Sequence, residues 1–406
     1  MNPLEHTKTN KRIPIDWSVM GAVLCLMVLG FMFIYSARFT TEGEERALLT
    51  RFAGRQVIWY VIGTAGMITM CLIDYRVMSR YSYVGYWAAI IMLLLVIVPF
   101  IGSSRGGARR WIDFGFFSFQ PSEFAKLALL MALANFLSRP MDELKVPGNF
   151  GKALGMMALP FALILIEPDL GSALVLIPVG LAMMYVGGIP PKFLRRLIGG
   201  ATIIVALLVV DVIFAPPDWR FPIQNYQRIR LLVYFDRDHT AFAPPAATQA
   251  ELKRARELKK NHSYNVRQAL ISVGSGGLTG TGWLKGKQNS LGYLPRAVAH
   301  NDFIFSVLAE ELGFIGSIVV IGLYAVVLFN GIRIAAQARD RLGRLVAVGV
   351  VALLFSHVFI NIGMNIRMMP VTGVPLPLLS YGGSSTLVIM LAIGLLQNVH
   401  MHRRVH

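Results

Sequence analysis

Long apolar stretches recur along the whole chain and constrain its fold more than any other feature. Most of them reach the roughly 17–25 residues that a helix needs to cross a bilayer. Lipid cannot satisfy open backbone groups, and the stretches lack the alternating pattern of membrane-barrel strands, so helices are expected. The stretches are Val19–Ser36, Val57–Ile73, Tyr83–Ile101, Phe119–Leu137, Ala153–Ile166, Leu170–Val186, Leu197–Phe214, Phe303–Phe329, Leu345–Ile366 and Leu379–Val399.

We therefore predict an all-α polytopic membrane protein with ten transmembrane helices. The composition agrees, because 55% hydrophobic and only 15% charged residues would be unusual for a soluble domain. The shortest stretch, Ala153–Ile166, is expected to be kinked or partly re-entrant. Residues 1–406 form one membrane domain in this prediction, and we find no convincing internal repeat.

The net charge of +17 could suggest nucleic acid, but the distribution of the charge argues against it. With the N-terminus inside, the short inner segments carry roughly twice as many Lys and Arg residues as the short outer loops. This asymmetry predicts that residues 1–15 and the tail 400–406 are cytoplasmic. It also places a large extracytoplasmic loop, residues 215–301, between the seventh and eighth helices.

The large loop is strongly basic, which indicates an anionic partner such as lipid headgroups, phosphates or an acidic polymer. Within it, Gln249–Lys260 and Tyr264–Ile271 are predicted to be two short helices. The glycine-rich run Gly274–Gly282 permits either close approach of the main chain to a ligand or a flexible link. The sequence leaves both interpretations open.

Asp302 lies where this loop meets the eighth apolar stretch. Helical spacing places Ser306 and Glu310 on one slowly drifting stripe with Asp302, while Glu311 points away. Asn301 and Asp302 would also suit a helix cap, where an acid meets free N–H groups. Capping does not explain the acids two turns further on, and ionisable groups at membrane depth are costly, so we favour a functional polar cavity.

Two more groups of polar residues follow the third apolar stretch. Arg109 and Arg110 could hold phosphate through bidentate contacts, and Trp111 fits an anchor at the membrane interface. Glu123 and Lys126 are three residues apart and are expected to pair on a helix face. A structural ion pair is one interpretation of them, and a substrate-binding role is the other.

Two turns of unusual composition complete the set. Asp169 is expected to cap the helix that follows it, whereas Glu167, two residues earlier, has no such simple explanation. The segment Pro370–Ser385 contains too many prolines and glycines for a regular helix, so it should be buried in protein or line a wet cavity. No Cys/His set has zinc spacing.

Together these segments resemble the SEDS family (shape, elongation, division and sporulation) of bacterial membrane proteins. The resemblance covers nearly the whole membrane domain in family order, and the segment Pro370–Pro377 is more similar to elongation members than to division members. The matching segments are Arg110–Ile112, Phe119–Glu123, Glu167–Gly171, Gln268–Gly277, His300–Phe305, Glu310–Gly313 and Pro370–Ser385.

The resemblance implies a peptidoglycan glycosyltransferase with ten transmembrane helices in the bacterial cytoplasmic membrane. It implies lipid II as substrate, a disaccharide-peptide on undecaprenyl pyrophosphate, and a class B penicillin-binding protein as transpeptidase partner in an elongation complex of membrane proteins. The family's essential loop aspartate corresponds to Asp302, its tryptophan to Trp111, and its helical acid and lysine to Glu123 and Lys126. Asn301 stands where the family usually has threonine, and the stretch 238–261 is longer than usual.

These residues suggest a mechanism as a hypothesis. Asp302 would act as the base for the attacking sugar hydroxyl, or would hold a divalent cation such as Mg²⁺ or Mn²⁺. The expected substrate-binding residues are Arg109, Arg110, Trp111, Glu123, Lys126, Arg296, Glu310 and Arg367.

Other functions fit part of the same pattern. A flippase for the lipid-linked precursor would use Glu123, Lys126 and Glu310 along a polar path, and the broken segment near Pro370 would fit that too. A division-type polymerase and a non-catalytic scaffold for the synthase partner would also be compatible with the sequence.

Overall fold

The computed structural model describes residues 15–39, 51–98, 100–105, 108–115, 117–215, 225–236, 248–294 and 298–404. Helices dominate these residues, as the apolar stretches predict. The helices are α1 (Trp17–Arg38), α2 (Arg51–Leu72), α3 (Tyr75–Arg80), α4 (Ser82–Ile97), α5 (Pro121–Leu137), α6 (Met141–Leu144), α7 (Pro147–Ile166), α8 (Leu170–Val186), α9 (Pro191–Phe214), α10 (Asn225–Tyr234), α11 (Gln249–Ser275), α12 (Lys287–Ser290), α13 (Ile304–Ala336), α14 (Arg341–Asn365) and α15 (Gly383–Met401), with a 3₁₀ turn at His402–Arg404.

The helices have the length and composition of membrane spans. Within the described ranges, six helices are long and apolar enough to cross a bilayer: α1, α7, α9, α13, α14 and α15. The shorter α4 and α8 are also apolar. Each predicted stretch contains a helix, so the all-α polytopic class is confirmed, while the total of ten spans stays a prediction. The chain is an integral membrane protein.

Burial divides these helices into a core and a periphery. The apolar windows of α15 and α14 are 83% and 72% buried, whereas that of α9 is only 6% buried. Helix α14 packs against α13, α8 and α5, and α15 packs against α2. Since α14 and α15 are surrounded by protein, the segment that joins them is also held inside the bundle.

A small antiparallel sheet interrupts the helical pattern between α4 and α5, which the sequence did not predict. Its strands are β1 (Gly102–Arg105), β2 (Ala108–Asp113) and β3 (Ser118–Phe119), in that order across the sheet. Trp111 of β2 lies opposite Ser103 of β1. The sheet pairs the polar backbone of this turn and presents Arg109 and Arg110 from its central strand.

The large loop is more helical than expected. The prediction of two short helices is wrong, because α11 runs unbroken from Gln249 to Ser275. Helix α10 was not predicted at all. Both helices contact each other, and α11 also packs against α13, so the loop carries structure that reaches the membrane bundle.

The glycine-rich run lies against another helix, which argues against a flexible link, while its approach to a ligand stays a prediction. Its main chain packs directly on the main chain of α13, where Gly313 has φ 67° and interrupts the helix. The N–H groups of Thr281 and Gly282 donate to the carbonyls of Glu310 and Glu311, both at 3.0 Å. A Cβ on Gly280 would clash with the Glu311 carbonyl, so only glycine permits this contact.

The proline-rich segment between α14 and α15 is irregular, as predicted. Its carbonyls are satisfied by side chains from the surrounding helices, as backbone at membrane depth requires. Tyr60 donates to the Leu378 carbonyl at 2.6 Å, and Tyr324 donates to the Pro377 carbonyl at 2.5 Å. The segment is thereby fixed as one wall of the cavity described next.

Candidate active site

A cavity of about 360 Å³ opens where the large loop meets the ends of the helices. Its walls come from α10, α11, the turn before α13 and the start of the proline-rich segment. Most of the lining is apolar, but an acid and a guanidinium face the same space. The lining residues are Arg230, Val233, Tyr234, Asn265, Val266, Val298, Asp302, Phe303, Met369, Pro370 and Val371.

The backbone of Asp302 is held firmly on both sides. Its N–H donates to the Val298 carbonyl at 3.0 Å. Its carbonyl accepts from the amide groups of Asn361 at 3.1 Å and Asn365 at 3.0 Å. These bonds fix the main chain from which the Asp302 carboxyl extends.

The capping interpretation of Asp302 is wrong. Helix α13 begins at Ile304, its N-cap residue is Phe303, and no side chain caps it. Within the part of the chain that the structure describes, the Asp302 carboxylate accepts no hydrogen bond from any residue. The carboxylate is half-buried and lines the cavity, which is the position expected for a functional group.

Burial and charge act in opposite directions on Asp302. Removal from water raises the pKa of its carboxyl to about 6, although the positive charges of Arg230 and Arg110 oppose the rise. The negative charge of Asp169 adds to it. A carboxyl with this pKa is ionised near neutral pH and is a better base than an ordinary aspartate.

Arg110 connects β2 with the turn between α7 and α8. Its guanidinium lies 3.6 Å from the Asp169 carboxylate. Asp169 also accepts from Gln120 at 3.0 Å and from Ser122 at 3.1 Å, and it caps α8 through the Ser172 N–H, as predicted. Arg110 is therefore held beside the Asp302 site by a partner of opposite charge.

Glu167 ends α7 and is an unusual feature of this region. Its side chain is 1% exposed, and neither carboxyl oxygen has a hydrogen-bond partner among the described residues. Burial, reinforced by the negative charge of Asp169, raises its pKa to about 9 against the opposing charge of Arg110. Glu167 is therefore a neutral acid at pH 7.

Two of the other arginines proposed from the sequence, Arg109 and Arg367, belong to the part of the chain that the structure describes. Arg109 is exposed on β2, and Trp111 is half-buried on the same strand. Arg367 has φ 59°, and its guanidinium donates to the Tyr234 carbonyl at 3.5 Å, next to the cavity wall. Arg296 lies outside the described residues.

Glu123 and Lys126 form the ion pair expected from their spacing. Their charged groups are 2.7 Å apart, and both residues are 1% exposed. The Lys126 ammonium also lies 3.0 Å from His357 Nε2 on α14. Neither residue is among those that line the cavity, so their contacts in the structure are with the protein itself.

Glu310 and Glu311 also contact protein rather than the cavity. Glu310 accepts from the Gln288 N–H at 2.8 Å, and Glu311 accepts from the Ser36 hydroxyl. The predicted stripe is thus divided: Ser306 bonds to Asn365 at 2.6 Å, and Glu310 holds the start of α12. The structure brings Asp302 together with Arg110 and Arg230 but not with Glu310.

Arg230 and Tyr234 were missed because α10 was not predicted. Arg230 lines the cavity with Asp302 and lies 3.4 Å from the Thr372 carbonyl, while Tyr234 donates to the Met368 carbonyl at 3.1 Å. The two residues are four apart, so on a helix they share a face. Recognising Asn225–Tyr234 as a helix would have placed both residues on one surface.

Fold and cavity together define an integral membrane protein with a fixed carboxylate and basic side chains at the ends of its helices. Residues 16–405 match the cell cycle protein family of FtsW, RodA and SpoVE. The chain belongs to this family, which confirms the SEDS resemblance. Over 403 residues it is 35% identical to the peptidoglycan glycosyltransferase MrdB of Escherichia coli strain K12, covering 99% of this chain and 98% of that protein.

Two solved structures are similar in fold. One comes from a study titled "Structural coordination of polymerization and crosslinking by a peptidoglycan synthase complex", with TM-score 0.74, 28% identity and coverage of 97% of this chain and 99% of that one. The other is the rod shape determining protein RodA of Thermus thermophilus, with TM-score 0.63, 26% identity and coverage of 97% and 98%.

Proposed function

We propose that this protein is a peptidoglycan glycosyltransferase that polymerises lipid II into glycan strands on the outer face of the cytoplasmic membrane during cell elongation. The observation that carries the proposal is the cavity in which Asp302 and Arg230 face the same space, with Arg110 close by. The similarity to MrdB and RodA over nearly the whole chain supports the same activity and an elongation role.

The reaction joins two sugars and releases a lipid diphosphate. A sugar hydroxyl attacks the anomeric carbon of the donor, the bond from that carbon to the diphosphate oxygen breaks, and the hydroxyl proton must be removed. Outside the cell no ATP is present, so the departing diphosphate supplies the driving force. A base and a cationic environment for the leaving group are therefore the two requirements.

Asp302 meets the first requirement as the catalytic base. A pKa of about 6 leaves it ionised at neutral pH while keeping it basic enough to accept the proton. Its fixed main chain holds the carboxylate toward the cavity, which limits the geometries in which the hydroxyl can approach.

Arginines meet the second requirement. Arg230 lines the cavity and Arg110 is near enough to influence Asp302. Guanidinium groups bind phosphate oxygens in bidentate fashion, so these two are the primary diphosphate ligands. Arg109, Arg367 and Arg296 are additional candidates, and Trp111 on β2 would contact the lipid or sugar beside them.

The alternative role for Asp302 is to hold a divalent cation instead of accepting the proton. Among the described residues no group of three or more His, Cys, Asp and Glu side chains could enclose a metal ion. Mg²⁺ usually takes only one or two protein carboxylates and completes its shell with water and substrate phosphates, so a single carboxylate fits. Such a cation, Mg²⁺ or Mn²⁺, would screen the leaving diphosphate.

Glu123, Lys126 and Glu310 belong to the proposed site only indirectly. Each is engaged by protein groups, so we propose that they support the shape of the site rather than touch the substrate. The same contacts disfavour a flippase, which requires these three residues along an open polar path.

We also propose the orientation in the membrane that the charge asymmetry predicts. Both termini lie in the cytoplasm and the loop 215–301 lies outside, in the bacterial cytoplasmic membrane. Single cysteines introduced at the exposed positions Lys145 and Arg267 test this orientation. A cysteine at Lys145, expected inside, should react with an impermeant thiol reagent only after the cells are lysed. A cysteine at Arg267, expected outside, should react already in intact spheroplasts.

A class B penicillin-binding protein is the proposed transpeptidase partner, within a complex of elongation membrane proteins. The similar structure from a peptidoglycan synthase complex supports a joint polymerising and crosslinking assembly. Co-purification of this chain with an elongation-type transpeptidase distinguishes the elongation role from a division role. A division-type transpeptidase serves as the control.

Polymerisation of lipid II by the purified chain tests the proposed function. We expect glycan strands from detergent-solubilised protein, more of them with the partner, and fewer after chelation of divalent ions. Solubilised protein offers no membrane sides, so product formation separates an enzyme from a flippase. Normal strand formation by the transpeptidase partner alone, with none by this chain, would support the scaffold instead.

A further inference from the structure

Helix α14 carries three polar side chains at four-residue intervals, His357, Asn361 and Asn365. This spacing places them on one face of the helix. All three are 0% exposed in a helix that is otherwise mostly apolar. We call them the α14 stripe. Buried polar groups are costly unless they are hydrogen-bonded, so the partners of the stripe indicate its purpose.

Each member of the α14 stripe binds main chain outside its own helix. His357 Nδ1 lies 3.2 Å from the Pro375 carbonyl oxygen. Asn361 Nδ2 donates to the Val374 carbonyl at 2.7 Å and to the Asp302 carbonyl at 3.1 Å. Asn365 and Asn361 thus share the Asp302 carbonyl, while Asn361 and His357 hold consecutive carbonyls of the proline-rich segment.

Contacts with Lys126 and Pro375 determine the protonation and tautomer of His357, the first member of the α14 stripe. The Lys126 ammonium lies 3.0 Å from His357 Nε2 and has only donors, so Nε2 must accept. The ring is then neutral with its proton on Nδ1, which donates to the Pro375 carbonyl. Glu123, 2.7 Å from Lys126, keeps the ammonium in place. The buried ion pair therefore sets the tautomer of His357.

Contacts at the other end orient the amide of Asn365. Ser306, on α13, donates to Asn365 Oδ1 at 2.6 Å, which directs Nδ2 toward the Asp302 carbonyl. The proline-rich segment also lies close to the Asp302 carboxylate, because a Cβ on Gly373 would be 3.6 Å from it. The stripe thus connects the Glu123–Lys126 pair, the proline-rich wall and the main chain of Asp302.

We propose that the α14 stripe positions Asp302 for catalysis, and that His357 is the positioning residue through which the buried Glu123–Lys126 pair acts on the site. This inference rests on the proposed catalytic role of Asp302. His357 touches no substrate in this account. It holds the Pro375 carbonyl, Asn361 and Asn365 hold the Asp302 carbonyl, and the carboxylate keeps the direction that the sugar hydroxyl requires.

Substitution of His357 tests the inference in steady-state polymerisation of lipid II. His357→Phe keeps the bulk but removes both contacts, and kcat should fall at least about tenfold with KM nearly unchanged, as expected for misplacement of a reacting group. His357→Gln retains an acceptor for Lys126 and a donor for Pro375, so it should keep most of the wild-type kcat. Merely structural damage would not be rescued selectively in kcat.

A matched control lies next to it on α14. Ser356 is 2% exposed, but its hydroxyl bonds only to the Ala352 carbonyl of the same helix. Ser356→Ala should therefore leave kcat unchanged. A wild-type kcat for His357→Phe, a change confined to KM, or equal losses in the Phe and Gln variants would overturn the inference.

Two further variants keep the result decisive. If His357→Phe does not fold, Asn365→Ala tests the stripe at its other end, where a fall in kcat of at least about tenfold is expected and a normal kcat refutes the inference. Asp302→Asn, assayed in parallel, separates failure of the proposed catalytic role of Asp302 from failure of the proposed role of the α14 stripe. Activity of Asp302→Asn would remove the catalytic role itself, whereas its inactivity beside a normal His357→Phe removes only the role of the stripe.

Discussion

Arg230 of α10 and Asp302 line the same cavity, and the charge of the guanidinium lowers the pKa that burial raises at the carboxyl. One residue comes from within the large loop and the other from its end. Their meeting gives the cavity one group suited to removing a proton and one suited to holding a diphosphate, which is the combination that glycosyl transfer from a lipid diphosphate requires.

Arg230→Gln should lower kcat/KM for lipid II by about 10²-fold, because one group aimed at the charge of the leaving diphosphate is lost. Arg230→Lys should fall between this variant and wild type, since lysine offers a point charge without the bidentate fork. Arg267→Gln is the control, because this exposed arginine of the same loop pairs with Asp236. Equal rates for Arg230→Gln and Arg267→Gln would exclude Arg230 from the site.

The pH dependence of polymerisation should report the state of Asp302. The carboxylate must be ionised to accept a proton, so kcat/KM should fall as the pH decreases through about 6. The charge of Arg230 lowers this pKa, and Arg230→Gln should therefore move the acid limb to higher pH. Rates measured from about pH 4.5 to about pH 8.5, which brackets that pKa, test this. A limb that stays in place in Arg230→Gln would show that another group titrates.

The contrast between Asp169 and Arg230 shows how far the sequence could lead. The cap that Asp169 forms on α8 lies within one turn of helix, so it was predictable from local rules. The apolar stretches likewise predicted the helices, because lipid leaves the backbone few other ways to satisfy its polar groups. The sequence also predicted that Asp302, an acid at a membrane edge, faces a polar cavity. Local patterns do not reveal which distant surface a basic loop helix packs against, so Arg230 was missed.

The glycine-rich run illustrates a second limit. Glycine signals that a main chain approaches something closely, but the signal does not say what it approaches. Here the partner is the interrupted backbone of α13, recognised only once Gly280 and Gly313 are seen together. The pairing of Glu310 with the Gln288 N–H has the same origin, since it depends on how this run folds back.

The Glu123–Lys126 pair should respond asymmetrically to substitution. Lys126→Met leaves a buried, unpaired carboxylate and should cost about 3–5 kcal/mol of stability. The double variant Glu123→Gln with Lys126→Met removes both charges and should recover most of the thermal stability. It should not recover turnover, because His357 has lost its partner. Thermal unfolding in detergent checks this, and a double variant as unstable as Lys126→Met would contradict it.

Glu167 should make stability depend on pH in an unusual direction. Its pKa rises from 4.5 to about 9 on folding, so the folded chain holds a proton that the unfolded chain has released. Its contribution to stability is therefore greatest below about pH 4.5 and decreases until the pH has risen through about 9.

Glu167→Gln should remove this dependence and raise the melting temperature at about pH 8 by at least about 2 °C. Glu143→Gln, at an exposed site on α6, should follow wild type and serves as the control. Unfolding curves at about pH 5, about pH 6.5 and about pH 8 provide the test, since all lie between the unfolded and folded pKa values. A Glu167→Gln protein as pH-sensitive as wild type would show that Glu167 is not the group responsible.

Lipid II polymerisation by purified Asp302→Asn protein tests the central claim most directly. We expect strand formation to fall by at least about 10²-fold, as loss of a catalytic base requires, with unfolding temperature and lipid II binding unchanged. Asp236→Asn, at an exposed aspartate of the same loop, should polymerise at the wild-type rate. Wild-type strand formation by Asp302→Asn would contradict the account, because no base would then have been removed.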